Sequence, residues 1–227
     1  MSTNQKFALL GVGLFIVLCL VFSKQIIVYT EVHFTDKYAS VLNVTPEAGI
    51  ALANSTTSRS FTEFYSLKIP NLIPLNEGKS NENFLAFIDS TNDQRYYLLT
   101  RGSALSNSFS VGEFCRESDS EPTICNNNYE AVSAILNTSG DDVTLFSSSN
   151  QTILNNIKLQ IKSDLVPSNA EIVPFSNDYG IRGFIFETNS AIPVIAVDPA
   201  GNQYELGFSN MTREEMELIL ASLQLTE

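Results

Sequence analysis

From residue 61 onward, short apolar runs alternate with polar, turn-forming stretches, a pattern that predicts strands before helices. FLAFID at 84–89 and RYYLLT at 95–100 flank STNDQ, the signature of a hairpin with a longer turn. Both runs carry large apolar groups at odd and even positions, which predicts a central place in a sheet. In IKLQIK, residues 157–162, Ile157, Leu159 and Ile161 alternate with Lys158, Gln160 and Lys162, the pattern of a strand with one wet face. A second hairpin is expected in IPVIAVDPAGNQYELGF, residues 192–208. There Pro199 presets the turn, Gly201 takes the left-handed position, and Tyr204, Leu206 and Phe208 share a face. Further strands are expected at 143–146, 171–175 and 182–187, while 132–136 suits either a strand or a helix.

Helical signals are fewer. Thr45-Pro46-Glu47 reads as a helix start, with a Thr cap, Pro at the first helical position and an acid in the first turn. Residues 54–60 read as a polar linker. At the far end, Thr212 and Glu215 form a capping box. Met216, Ile219, Leu220 and Leu223 follow at helical spacing as one apolar stripe, expected to pack on the sheet.

The longest apolar run is FALLGVGLFIVLCLVFSKQ, residues 7–25. A helix rises about 1.5 Å per residue and a hydrocarbon core is about 30 Å thick, so roughly 20 apolar residues span it. Extending the helix through Lys24, whose stem can lie along lipid, to Tyr29 supplies that length. The competing reading is a secretory signal peptide cut after Ser23. The run is at the upper limit for one, lacks a breaker near the cut and continues into further apolar residues. Cys19 is preceded by Leu18, where a lipoprotein site needs a small residue.

The organisation expected is a tail at 1–6, a transmembrane signal-anchor helix at 7–29, a juxtamembrane segment with a short helix at 30–60, and an extracytoplasmic domain at 61–227. The fold class expected is α+β: a mainly antiparallel sheet with the C-terminal amphipathic helix packed on it.

Lys6 on one flank against Lys24 and Lys37 on the other leaves orientation nearly balanced. Cys115 and Cys125 bear on it. They bracket the polar stretch CRESDSEPTIC and are expected to form a disulfide, which would stabilise by roughly 3 kcal/mol and agrees with an oxidising compartment. Glycosylation acceptor patterns begin at Asn43, Asn54, Asn137, Asn150 and Asn210. In a chain this rich in Asn, Ser and Thr they agree with an exterior location without requiring it.

The net charge of −12 disfavours nucleic acid and anionic headgroups, which need clustered Lys and Arg. The one histidine, His33, lies just beyond the expected membrane edge and reads as an interfacial residue. A histidine-dependent triad or a zinc site is therefore disfavoured, and no cofactor or metal is expected. Carboxylates cluster at Asp89 with Asp93, Asp119 with Glu121, and Asp141 with Asp142. The first pair faintly echoes a calcium loop but has Gln94 where glycine is required and Thr100 at the twelfth position, so a hydrated turn is expected. Phe61, Phe64 and Tyr65 read as core edge. No catalytic residue is assigned.

The anchor and the absence of a catalytic motif lead to one expectation. The chain is a non-enzymatic, membrane-tethered binding, sensor or assembly module outside the cytosol, held by its N-terminal helix and contacting a protein partner. The rivals are an extracytoplasmic hydrolase using Ser-Lys or paired carboxylates, and a viral or parasite envelope glycoprotein.

Overall fold

Eight of the apolar runs pair edge to edge because each leaves backbone donors and acceptors that only a neighbouring strand can satisfy. The computed structural model describes residues 12, 22–54, 60–71, 75–77, 82–89, 91–101, 128–189 and 191–226. In chain order the large sheet contains β1 (Ile50–Leu52), β4 (Leu75–Glu77), β5 (Phe84–Asp89), β6 (Tyr96–Arg101), β7 (Glu171–Asn177), β8 (Arg182–Glu187), β9 (Ala191–Val197) and β10 (Gln203–Ser209). A small sheet holds β2 (Phe61–Phe64), β3 (Leu67–Pro70) and β11 (Gln224–Leu225). The helices are α1 (Ser23–Phe34), α2 (Asn128–Leu136), α3 (Ser149–Leu165) and α4 (Arg213–Ser222).

The fold is α+β. Its eight-stranded sheet runs in the order β1-β7-β8-β9-β10-β6-β5-β4, and the small sheet is β11-β3-β2. Every pairing is antiparallel except β1 with β7, which makes the large sheet mixed. The 198–202 turn forms as expected, with Gly201 at φ +87° and Asp198 accepting from the Asn202 backbone N–H at 2.8 Å. The strands expected at 171–175 and 182–187 are β7 and β8, and 132–136 is helical.

Two apolar layers sandwich the large sheet. On one face Leu85, Phe87, Tyr97, Leu99, Tyr204, Leu206 and Phe208 meet Met216, Ile219 and Leu220 of α4, together with Leu67 and Ile69 of the small sheet. Tyr97 stacks between Phe87 and Phe208, at centroid distances of 4.4 and 5.9 Å, and its hydroxyl donates to the Pro70 carbonyl at 3.1 Å. The α4 capping box is present, with the Thr212 N–H donating to Glu215 at 3.0 Å and the Glu215 N–H to Thr212 at 3.2 Å. On the opposite face Ile172, Phe184, Phe186, Ile195 and Val197 meet Val28 and Val32 of α1, Ile135 of α2, and Leu154, Leu159 and Ile161 of α3.

Several expectations are corrected. Residues 157–162 are the middle of α3, not a strand. Thr152, Asn155, Leu159 and Lys162 are buried at helical steps, and both lysines placed on a wet face are inside, Lys158 at 7% and Lys162 at 0% exposure. Residues 143–146 form no strand: Val143 ends a short 3-10 turn and Phe146 projects outward at 94% exposure. No helix starts at Thr45. That stretch has no regular secondary structure, the Glu47 N–H donates to the Ile172 carbonyl at 2.8 Å, and the chain enters the sheet as β1. The hairpin at 84–101 lies toward one end of the sheet rather than at its centre, because β9 and β10 insert on the other side of β6.

Most of the apolar run at 7–22, and all three cysteines (Cys19, Cys115 and Cys125), fall outside the described residues. Among the described residues no helix is long and apolar enough to cross a membrane. Of the expected span, Gln25 and Val28 lie on the face of α1 that is turned into the fold, while Ile26 and Ile27 are exposed.

Candidate functional site

Among the described residues, the helices α1, α2 and α3 cover only part of their sheet face. The remainder is built from alternate residues of β9, β10, β6 and β5, whose registers set them in cross-strand rows. Pro193, Gly207, Leu98 and Ala86 form one row, and Ile195, Glu205, Thr100 and Phe84 the next. Pro193, Gly207 and Leu98 of the first row and Ile195, Glu205 and Thr100 of the second, with Asp164 and Leu165 at the C-terminal end of α3, border an open trough of about 450 Å³.

Gly207 lines the trough without a side chain. A Cβ built there would meet nothing within 4 Å. Strand interiors favour residues with a side chain to pack, so a glycine flanked by Pro193 and Leu98 keeps open space that a larger residue would fill. Leu98 is exposed. Glu205, half-buried between Ile195 and Thr100, pairs with no cation among the described residues, and burial pushes its carboxyl pKa up. Asp164 sits exposed in the last turn of α3, where the helix dipole disfavours an acid.

The other polar clusters fasten elements to one another. Ser66 donates to Asp198 at 2.9 Å and shares a hydrogen bond with the Tyr204 hydroxyl, joining the small sheet to the β9–β10 turn. The serine in this cluster thus meets a carboxylate and a phenol, not a lysine. Arg95 reaches Asp89 at 3.2 Å and also pairs with Glu215, tying the β5–β6 turn to the start of α4. Asn177 donates to the Leu220 and Leu223 carbonyls, both at 2.9 Å, and accepts from the Tyr179 and Ile181 N–H groups. Lys162 donates to the Thr138 carbonyl at 2.6 Å; burial draws its pKa down to about 8, partly countered by Asp142.

The residues singled out in the sequence do not converge on the trough. Asp89 accepts from the Thr91 hydroxyl and N–H, then from Arg95, and these hold its carboxyl below the usual range. It is a turn-forming residue. Asp142 closes the 3-10 turn by accepting from the Ser139 N–H at 2.7 Å. Asp119 and Glu121 lie outside the described residues. His33 Nε2 lies 3.0 Å from the Val143 carbonyl and its ring packs on Tyr29. Phe64 is buried at the core edge, whereas Tyr65 is exposed under the Arg101 guanidinium.

Among the described residues no group of three or more His, Cys, Asp or Glu side chains could hold a metal ion. Sequence reading did not single out Glu205, Gly207 or Asp164. The available signal was Gly207 itself, a glycine interrupting an otherwise clean alternation. Compared with known proteins, the chain matches no family model and no curated protein.

Proposed function

We propose that the chain is a membrane-tethered binding module that stands outside the cytosol and serves as a subunit or accessory factor of a membrane or surface complex. The observation that carries this reading is the part of the large sheet that the described elements leave open, a trough of about 450 Å³ lined by Leu98, Pro193, Ile195, Thr100, Glu205 and Gly207. An open concavity on a sheet face is a ready place for a partner or ligand to bind, which supports the reading.

The tether is the N-terminal helix at 7–29. It is supported by the apolar run and by the exposed Ile26 and Ile27 at the start of α1, where a helix leaving lipid would keep apolar side chains. The extracytoplasmic side is supported by the Cys115–Cys125 spacing and its polar loop.

The test is extraction in mild detergent followed by affinity purification of the full chain and sizing of what accompanies it. Stoichiometric co-purification of a membrane protein is the expected result, and a strictly solitary monomer overturns the reading. Protease protection in sealed vesicles checks the side: the domain should be digested from outside and survive inside inverted vesicles.

A further inference from the structure

Three residue choices around the trough work against local stability. Gly207 forgoes strand propensity in a strand interior although no neighbour needs the space. Glu205 is a half-buried carboxylate with no cation beside it among the described residues. Asp164 places a negative charge at the negative end of α3. Residues that break local rules together, around one concavity, are expected where a ligand restores the balance.

The ligand's chemistry follows from what is missing. Asp164 and Glu205 are the charged groups lining the trough, and both are acidic. Around them lie Leu98, Pro193, Ile195 and Leu165, which offer apolar contact, and Thr100, whose hydroxyl is the one neutral hydrogen-bonding side chain in the lining. Three neighbouring strands, β9, β10 and β6, about 4.8 Å apart make a floor roughly 10 Å across, wide enough for one extended chain segment. Lysine and arginine fit such a surface, since the stem lies on apolar groups while the head reaches a carboxylate. A second copy of this chain fits poorly, because each carries a net charge of −12.

We infer that the trough over Gly207 docks a partner segment presenting lysine or arginine side chains among apolar ones. This rests on the binding-module reading and gives the partner a chemistry.

The test uses the full chain in nanodiscs of zwitterionic phospholipid, titrated with a fluorescein-labelled octapeptide of alternating leucine and lysine. A matched peptide carries glutamine in place of lysine. The lysine peptide should bind at least about tenfold more tightly than the glutamine peptide, and added salt should weaken it. Glu205→Gln should weaken the lysine peptide about tenfold and Asp164→Asn by less, both leaving the glutamine peptide unchanged. Gly207→Val, which raises the floor of the trough at its glycine, should weaken binding of both peptides about tenfold.

Equal affinity for the two peptides, or indifference of the lysine peptide to both carboxylate variants, overturns the cationic chemistry. Binding unaffected by Gly207→Val overturns the location. If Gly207→Val misfolds, the two near-isosteric carboxylate variants still decide. Self-association abolished by Gly207→Val assigns the trough to a second copy and also overturns the inference. A protein that ignores both peptides yet retains a co-purifying partner defeats this inference alone, whereas a solitary monomer defeats the binding-module reading with it.

Discussion

The two faces of the large sheet solve the same burial problem differently. One is sealed by α4 and the small sheet through apolar side chains such as Phe208, Tyr97 and Leu220, with exposures of 1% or less. The other is roofed in part by α1, α2 and α3, and the inner side of α3 carries Thr152, Asn155 and Lys162. Each of these polar side chains donates to a backbone carbonyl: Thr152 to Ser148 at 3.1 Å, Asn155 to Asp142 at 2.6 Å, and Lys162 to Thr138 at 2.6 Å. The first face is held by area and packing. The second holds a loop in place by hydrogen bonds and, among the described residues, leaves parts of β6, β9 and β10 open.

This contrast can be broken most forcefully on the sealed face. Phe208→Ala should cost about 3–5 kcal/mol, read as a large drop in the thermal midpoint of the full chain in detergent. On the open face Leu98→Ala should cost under about 1 kcal/mol, and equal losses would mean that both faces are sealed.

The glycines give a second comparison. A Cβ on Gly183 would lie 2.0 Å from the Ile195 carbonyl oxygen and 2.6 Å from Phe175, so Gly183→Ala should cost roughly 3 kcal/mol or more.

Lys162 supplies a pH test of the polar roof. Its folded pKa, about 8, lies below the ordinary 10.5, so between those values the unfolded chain binds more protons. Stability should therefore rise as pH increases from 8 to 9.5, by on the order of 1 kcal/mol. Denaturant midpoints should show this slope in the wild type and lose it in Lys162→Met. An unchanged slope would place the titration elsewhere.

The smallest effect is expected at Gly207→Val, within about 0.5 kcal/mol of wild type, since the added side chain enters open space and suits a strand. A loss as large as that of Gly183→Ala would show the trough to be filled in solution.

How legible each part was follows from the same chemistry. Helix α4 was readable because its cap and apolar stripe are local, and the 198–202 turn because Pro199 and Gly201 fix it within five residues. Helix α3 was misread because polar residues occupy its inner face: a hydropathy period counts Lys162 as wet, whereas its ammonium is satisfied by the carbonyl of Thr138, far away in sequence. The start of β1 was misread because Thr45-Pro46-Glu47 carries sound local helix signals, which a distant hydrogen bond to Ile172 overrides. The trough left little trace beyond Gly207, since an uncovered sheet face arises from where helices stop and not from any residue pattern along the strands.

The packing of α1 has a mechanical consequence. Val28 and Val32 press its inner side into the body of the fold, and His33 clasps the Val143 carbonyl, so the chain has no slack from about its second turn onward. A pull applied at the start of α1 would therefore reach α3 and the large sheet directly, with no loose linker between Ser23 and the core to absorb it.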